Sequence, residues 1–391
     1  MKFDFDKVVD RHGTKCLKYD FAKERGRSDD MLPLWVADMD FQTAPGIQKS
    51  LSDAVAHGIY GYSEGKDDYF QAAAGWYEKH FGWKVEKEWL IKTPGVVFAL
   101  AMAVKAYTKE GDAVLLQQPV YYPFSEVITD NHRRLINSPL QQIDGHYEIN
   151  FEEFEQKIVE ENVKLFLMCS PHNPVGRVWK EWELRKIGDI CLKHNVLVVS
   201  DEIHSDFTYG ENIHHVFASL DEKYAAITTT CTAPSKTFNI AGLQISNIWI
   251  SNPELRARFR AEVTAAGYSQ VNLMGLVACQ AAYETGEEWL KELKIYLEGN
   301  LDYVRTFLKE NLPEIKLTEP EGTYLLWLDF KSLGMKEEQL KDLVENKAKL
   351  WLDSGAMFGP DGEEFERINI ACPREILKQA LTQLAESVHD R

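Results

Sequence analysis

Five short apolar runs, separated by segments long enough for helices, occupy the middle of this 391-residue chain. They are Asp112 to Gln117, Lys164 to Cys169, Val196 to Ser200, Ala226 to Cys231 and Ile245 to Ile250. Runs of this length with so few charges read as strands buried on both faces. Between two of them, Trp182 to His194 places Leu184, Ile187 and Cys191 on one helical face. Strands that alternate with helices argue for a mostly parallel sheet covered by helices on both sides, an α/β fold. After about Gly286 the pattern changes to a long charged helix, Glu287 to Asn311, and then to the strand-like Gly322-Thr323-Tyr324-Leu325-Leu326-Trp327-Leu328. That change reads as a second domain. No repeat, low-complexity tract or long linker intervenes, so the two should pack closely.

Composition narrows the function classes. With 45% hydrophobic residues the chain can fill two cores, and its net charge of −17 opposes binding to nucleic acid or anionic membrane. No apolar run approaches the roughly 20 residues of a membrane span. Cys16, Cys169, Cys191, Cys231, Cys279 and Cys372 are scattered without a C-x-x-C pair, which suits buried reduced thiols rather than disulfides or a metal site. These features point to the cytoplasm, with no export signal, membrane anchor or metal.

Four segments carry the chemistry. Asn173-Pro174-Val175-Gly176, Ser200-Asp201-Glu202-Ile203-His204, Ser235-Lys236 and Arg367-Ile368-Asn369-Ile370 follow one another in the order and approximate spacing of one enzyme class. Each is weak alone: a lone lysine is usually a solvated charge, an Asn-Pro pair a turn, an aspartate after a strand a helix cap. Together they resemble the fold-type I pyridoxal phosphate enzymes, the class I and II aminotransferase superfamily, over essentially the whole chain. The resemblance implies a large domain, residues 46–286, with a mostly parallel seven-stranded sheet flanked by helices. Residues 1–45 and 287–391 would form a smaller α+β domain. No G-x-G-x-x-G follows a predicted strand, which argues against a dinucleotide site.

The resemblance also implies roles. Lys236 would be the Schiff-base lysine and the base that removes the substrate Cα proton. Asp201, at the carboxyl end of its strand, would pair with the pyridinium nitrogen, and Ile203 would lie under the ring. His204 stands where many relatives carry a tyrosine bonded to the ring 3'-oxygen, and Asn173 could donate to the same oxygen. Thr93-Pro94-Gly95-Val96-Val97-Phe98 opens an apolar helix, Val96 to Tyr107, whose first N–H groups would hold the phosphate. Gly95, Val96 and Val97 therefore join the cofactor set, with Ser235 as a hydroxyl donor and Thr232 as a weaker one. Gln244 replaces an arginine common in relatives, so the phosphate would be less fully neutralised. Tyr121 would stack on the ring and take part in catalysis, although a core aromatic is an equally common reading of one tyrosine.

For substrate, the planar fork of Arg367 suits an amino acid α-carboxylate, complemented by Asn173 and the backbone N–H of Ala37. Tyr62, favoured over Tyr60 in Tyr60-Gly61-Tyr62-Ser63, would reach across a homodimer interface to the neighbour's phosphate and substrate. Three further segments, Leu34 to Phe41, Asp201 to Asp206 and Ala233 to Gln244, are similar to the carbon–sulfur β-lyases of the MalY/PatB type. That branch implies α,β-elimination from L-cystathionine or a related cysteine S-conjugate. Transamination of an aromatic or similar amino acid shares the same cofactor residues and is the first alternative. A regulatory protein-binding role ranks lower, because no surface stripe in the sequence supports it.

Overall fold

The computed structural model describes residues 2–390. Its centre is a seven-stranded sheet: β1 Leu90–Thr93, β2 Ala113–Leu116, β3 Arg134–Asn137, β4 Val163–Cys169, β5 Leu197–Asp201, β6 Thr228–Thr232 and β7 Ser246–Trp249. The spatial order is β1-β7-β6-β5-β4-β2-β3. Only β7 runs antiparallel to its neighbours. The alternation of side chains divides the sheet cleanly: Val114, Leu116, Leu165, Leu167 and Val199 face one apolar layer, while Ala113, Leu115, Phe166, Met168 and Val198 face another.

Helices cover both layers. On one side lie α3 (Val96–Tyr107) and α5 (Pro253–Ala265), which pack on each other. On the other lies α4 (Glu181–Lys193), with Leu184, Ile187, Ile190 and Cys191 buried at helical spacing. Three further helices belong to a separate apolar cluster: α1 (Pro45–His57), α2 (Asp67–Phe81) and α6 (Leu273–Thr285).

The 25-residue α7 (Glu287–Asn311) leaves this layer and meets a four-stranded antiparallel sheet of β8 Lys316–Thr318, β9 Leu325–Asp329, β10 Asp353–Ser354 and β11 Phe365–Asn369, ordered β8-β9-β11-β10. The final helix, α8 (Arg374–His389), packs on α7. The N-terminal arm joins this part of the molecule. Phe5 packs edge-on against Phe41 and Trp289, Leu32 and Pro33 pair with Leu350 and Trp351, and Trp35 stacks on Trp351 at 4.5 Å. Arg11 and the fully buried Lys18 are neutralised by Asp38 and Asp40, at 2.7 Å for Arg11 to each carboxylate and 2.8 Å for Lys18 to Asp40. Among the described residues no helix is long and apolar enough to cross a membrane.

Candidate active site

Four of the parallel strands, β2, β4, β5 and β6, end at one rim beside a cavity of about 390 Å3. After β2 comes Tyr121, after β4 Asn173, at the end of β5 Asp201, and after β6 Lys236. Backbone bonds tie these exits together: Tyr121 N–H donates to Asn173 O at 3.0 Å, Ser170 N–H to Asp201 O at 2.9 Å, and Glu202 N–H to Cys231 O at 2.9 Å. Register does the rest, since Cys169, Asp201 and Cys231 lie side by side across three strands. The cavity is lined by Ala37, Gly95, Val96, Val97, Tyr121, Asn173, Asp201, Ile203, His204, Ser235, Lys236 and Gln244, among others. Eleven of these are residues to which the sequence gives a cofactor or substrate role, whereas Pro94, Phe98, Cys169 and Ala241 also line the cavity without one.

Lys236 sits in a single helical turn, Pro234–Thr237, and its amine donates to Ala37 O at 2.7 Å. Burial is the main influence on it and lowers its pKa to about 8, with Asp38 opposing and Arg367 assisting the fall. Asp201 shows the converse. Burial raises its pKa to about 7, against the N–H of Ile203, which donates to Oδ1 at 3.1 Å. His204 is held neutral: burial and the nearby Lys236 and Arg367 push its pKa down to about 3. Its Nδ1 is a buried polar atom with no hydrogen-bond partner among the described residues.

The opening of α3 forms a cradle. Ala99 N–H is the first to bond back into the helix, to Gly95 O at 3.2 Å, so the preceding N–H groups face outward. A Cβ placed on Gly95 would meet no atom of the protein within 4 Å, which leaves that wall free for an anion.

Arg367 borders this cavity through Asn173, to whose Oδ1 it donates at 3.1 Å. It also donates to Trp35 O at 2.7 Å and forms a buried ion pair with Asp353. Its Nε–H is buried and has no hydrogen-bond partner among the described residues.

Two assigned residues lie elsewhere. Thr232 was expected to donate to phosphate. Its hydroxyl instead donates to Asn247 O at 2.8 Å and accepts from Trp249 Nε1 at 3.0 Å, inside the sheet, because alternation along β6 turns it away from the cavity. Tyr62 projects from the surface with 97% exposure, beside Tyr60 and the loop of Tyr268 to Met274, away from this chain's own Lys236.

Four contributors were not anticipated. Tyr324 donates its hydroxyl to Ala37 O at 3.0 Å, sharing that acceptor with Lys236. Asn369, two residues beyond Arg367 on β11, donates to Val36 O and Asp38 O at 2.7 and 2.6 Å. Asn239 holds Met39 through both its carbonyl and its N–H, and Asp353 anchors Arg367. Period-two alternation could have found Asn369. Asp353 has no local signal, since it meets Arg367 only through the register of β10 on β11.

Comparison with known proteins agrees with this geometry. The aminotransferase class I and II family model matches residues 30–384. Cystathionine beta-lyase PatB of Bacillus subtilis is 43% identical over 97% of this chain and 98% of its own length. Protein MalY of Escherichia coli is 33% identical over 99% of each. Among solved structures, cystalysin from Treponema denticola, which contains pyridoxal 5'-phosphate, superposes with a TM-score of 0.96 at 38% identity, covering all of both chains. The pyridoxal phosphate-bound C–S lyase from Staphylococcus hominis gives 0.92 at 33% identity, over 99% of this chain and 98% of that one.

Proposed function

The chain belongs to the class I and II aminotransferase family, and from that membership we infer that it is a pyridoxal phosphate-dependent carbon–sulfur lyase. It cleaves L-cystathionine or a related cysteine S-conjugate to a thiol, pyruvate and ammonia, with homocysteine as the thiol from cystathionine. What favours elimination over transamination is the likeness over nearly the whole chain to carbon–sulfur lyases, because the cofactor residues serve both reactions.

The residues present fit the cofactor. The outward N–H groups of α3 and Ser235 suit its phosphate, Asp201 its ring nitrogen, the orphaned His204 Nδ1 and Asn173 its ring oxygen, Tyr121 and Ile203 its two faces, and Lys236 its aldehyde. When bound, pyridoxal phosphate draws electrons away from the substrate Cα, so that the Cα–H bond can ionise and the Cβ–S bond can break.

The protein supplies orientation and proton transfer. Arg367 grips the α-carboxylate, held in place by Asp353, Asn173 and Trp35 O, and the Ala37 N–H complements it. Lys236 takes the Cα proton. A pKa lowered to about 8 leaves a useful fraction of its amine neutral near physiological pH, and Ala37 O fixes the direction from which it reaches. Asp201 stays ionised when a cation lies against it and so keeps the ring nitrogen protonated.

The enzyme works as a homodimer in which Tyr62 of each chain completes the neighbour's site. An almost wholly exposed tyrosine beside exposed Ile59 and Tyr60 supports that reading. Six buried, unpaired thiols suit the reducing cytoplasm. Pyruvate release from L-cystathionine by cofactor-loaded protein, with no keto acid added, tests the reaction. Many turnovers per enzyme are expected. Conversion of the cofactor to its amine form without sustained pyruvate would overturn elimination in favour of transamination.

A further inference from the structure

A second cavity, of about 520 Å3, lies behind the active site, between the end of α2, the loop of Ser205 to His214 and the first turns of α7. Its apolar lining includes Phe81, Leu290 and the exposed side chains of Ile213 and Ile295. Over that lining stand three basic groups, His80, Lys291 and Lys294. Two carboxylates also face it, and both are committed. Glu287 is ion-paired with Lys79, and Asp206 accepts from Trp76 Nε1 at 3.1 Å and from Thr237 Oγ1 at 2.6 Å. Lys291 and Lys294 form no ion pair among the described residues. Lys294 is partly buried, and desolvation lowers its pKa against the more distant charges of Asp206 and Glu298, so a counter-ion in direct contact would relieve part of that cost. On a chain of net charge −17, two lysines that make no direct ion pair, over an apolar wall, are complementary to an anion with an apolar body.

The two cavities are lined by consecutive residues of the same chain segment. His204 lines the active site while Ser205 and Asp206 line this one, and Lys236 faces the active site while its neighbour Thr237 bonds to Asp206. We propose that this cavity is a binding site for a small apolar carboxylate or sulfonate, and that its occupancy is transmitted to Lys236 through the Asp206 to Thr237 hydrogen bond. The site itself is independent of the reaction assigned above, whereas the coupling rests on the cofactor assignment.

The probe is 8-anilinonaphthalene-1-sulfonate, titrated into cofactor-loaded protein and followed by its fluorescence. Saturable binding of one probe per chain is expected. The double variant Lys291→Glu and Lys294→Glu should weaken it about tenfold or more, with pyruvate release unchanged. Binding untouched by reversing both charges, or abolished by L-cystathionine as a competitor, would overturn the site. For the coupling, saturating probe should shift the pH midpoint of the bound cofactor's visible absorbance, and Thr237→Val should remove that shift while leaving probe affinity intact. Identical absorbance titrations with and without probe would overturn the coupling alone.

Discussion

Replacing Asp201 by Asn in the cofactor-free protein should stabilise it, and the gain should depend on pH. The carboxylate is 5% exposed at the end of β5 and makes no ion pair among the described residues; only the Ile203 N–H touches it. Burial therefore raises its pKa from 3.8 to about 7. An acid that binds its proton more tightly folded than unfolded favours the folded state at low pH, and that advantage is lost as pH rises between about 4 and 7. A shift of roughly three pH units corresponds to about 4 kcal/mol, accumulating at about 1.4 kcal/mol per unit. Asn keeps the shape and the acceptor for Ile203 but has no charge to desolvate. Urea unfolding of both cofactor-free proteins from pH 4.5 to 8 should give a difference that grows with pH and levels off above 7. Adding pyridoxal phosphate should reverse the ranking at pH 8, because only the aspartate can pair with a protonated ring nitrogen. A stability difference that stays flat with pH would refute the desolvation argument. Equal cofactor affinity in the two proteins would refute the assignment of Asp201 to the ring nitrogen.

Asp40→Ala leaves the wholly buried Lys18 with Asp38 at 3.8 Å as its nearest counter-ion, and should cost about 3–5 kcal/mol, read as a fall in thermal midpoint. Gly95→Ala should fold normally, since its Cβ meets nothing and its φ of 167° is ordinary extended backbone, yet crowd the phosphate cradle. Fluorescence titration should then show cofactor affinity about tenfold weaker. Thr232→Val should lower the thermal midpoint by the equivalent of about 1–2 kcal/mol, because Trp249 Nε1 loses its acceptor, while cofactor affinity is unchanged.

The parts of the fold that were legible are those where one local pattern decides the outcome. The central strands β2, β4, β5, β6 and β7 are short apolar runs, and each was placed within about two residues. The helices α3, α4 and α7 were found at or near their observed ends. The flanking strands β1 and β3 were missed. Leu90-Ile91-Lys92-Thr93 and Arg134-Leu135-Ile136-Asn137 are edge strands, covered less completely and half polar, so neither forms a run. The start of β6 was placed two residues early because Ala226 and Ile227 look strand-like, although they close the turn of Glu222–Ala225. In the site, Lys236, Asp201 and Asn173 were legible because strand ends in such a sheet share one rim. Thr232 failed on the same logic applied one residue too early, where alternation still governs which way the side chain points.

The segment from Trp35 to Phe41 shows why a reading by motif stops short of mechanism. In sequence it is an apolar arm with two aspartates. In the structure it is irregular backbone whose carbonyls must find donors, and it finds them on residues in and around the candidate site. Trp35 O accepts from Arg367, Val36 O and Asp38 O from Asn369, Ala37 O from Lys236 and Tyr324, and Met39 O and Phe41 O from Asn239. The proposed base and the proposed carboxylate grip are thus aligned on one strip of main chain, although Lys236 lies mid-sequence and Arg367 near its carboxyl end. Asn369→Leu should expose that dependence. It leaves Lys236, Arg367 and the cofactor residues intact but strips two carbonyls of their donor, so the strip should shift and both ends of the site with it. A rise in KM together with a fall in kcat of about tenfold, with cofactor affinity unchanged, is the expected result. Unaltered kinetics in a folded variant would mean that the Asp38 and Asp40 ion pairs and the bonds from Arg367, Tyr324 and Asn239 hold the arm without Asn369.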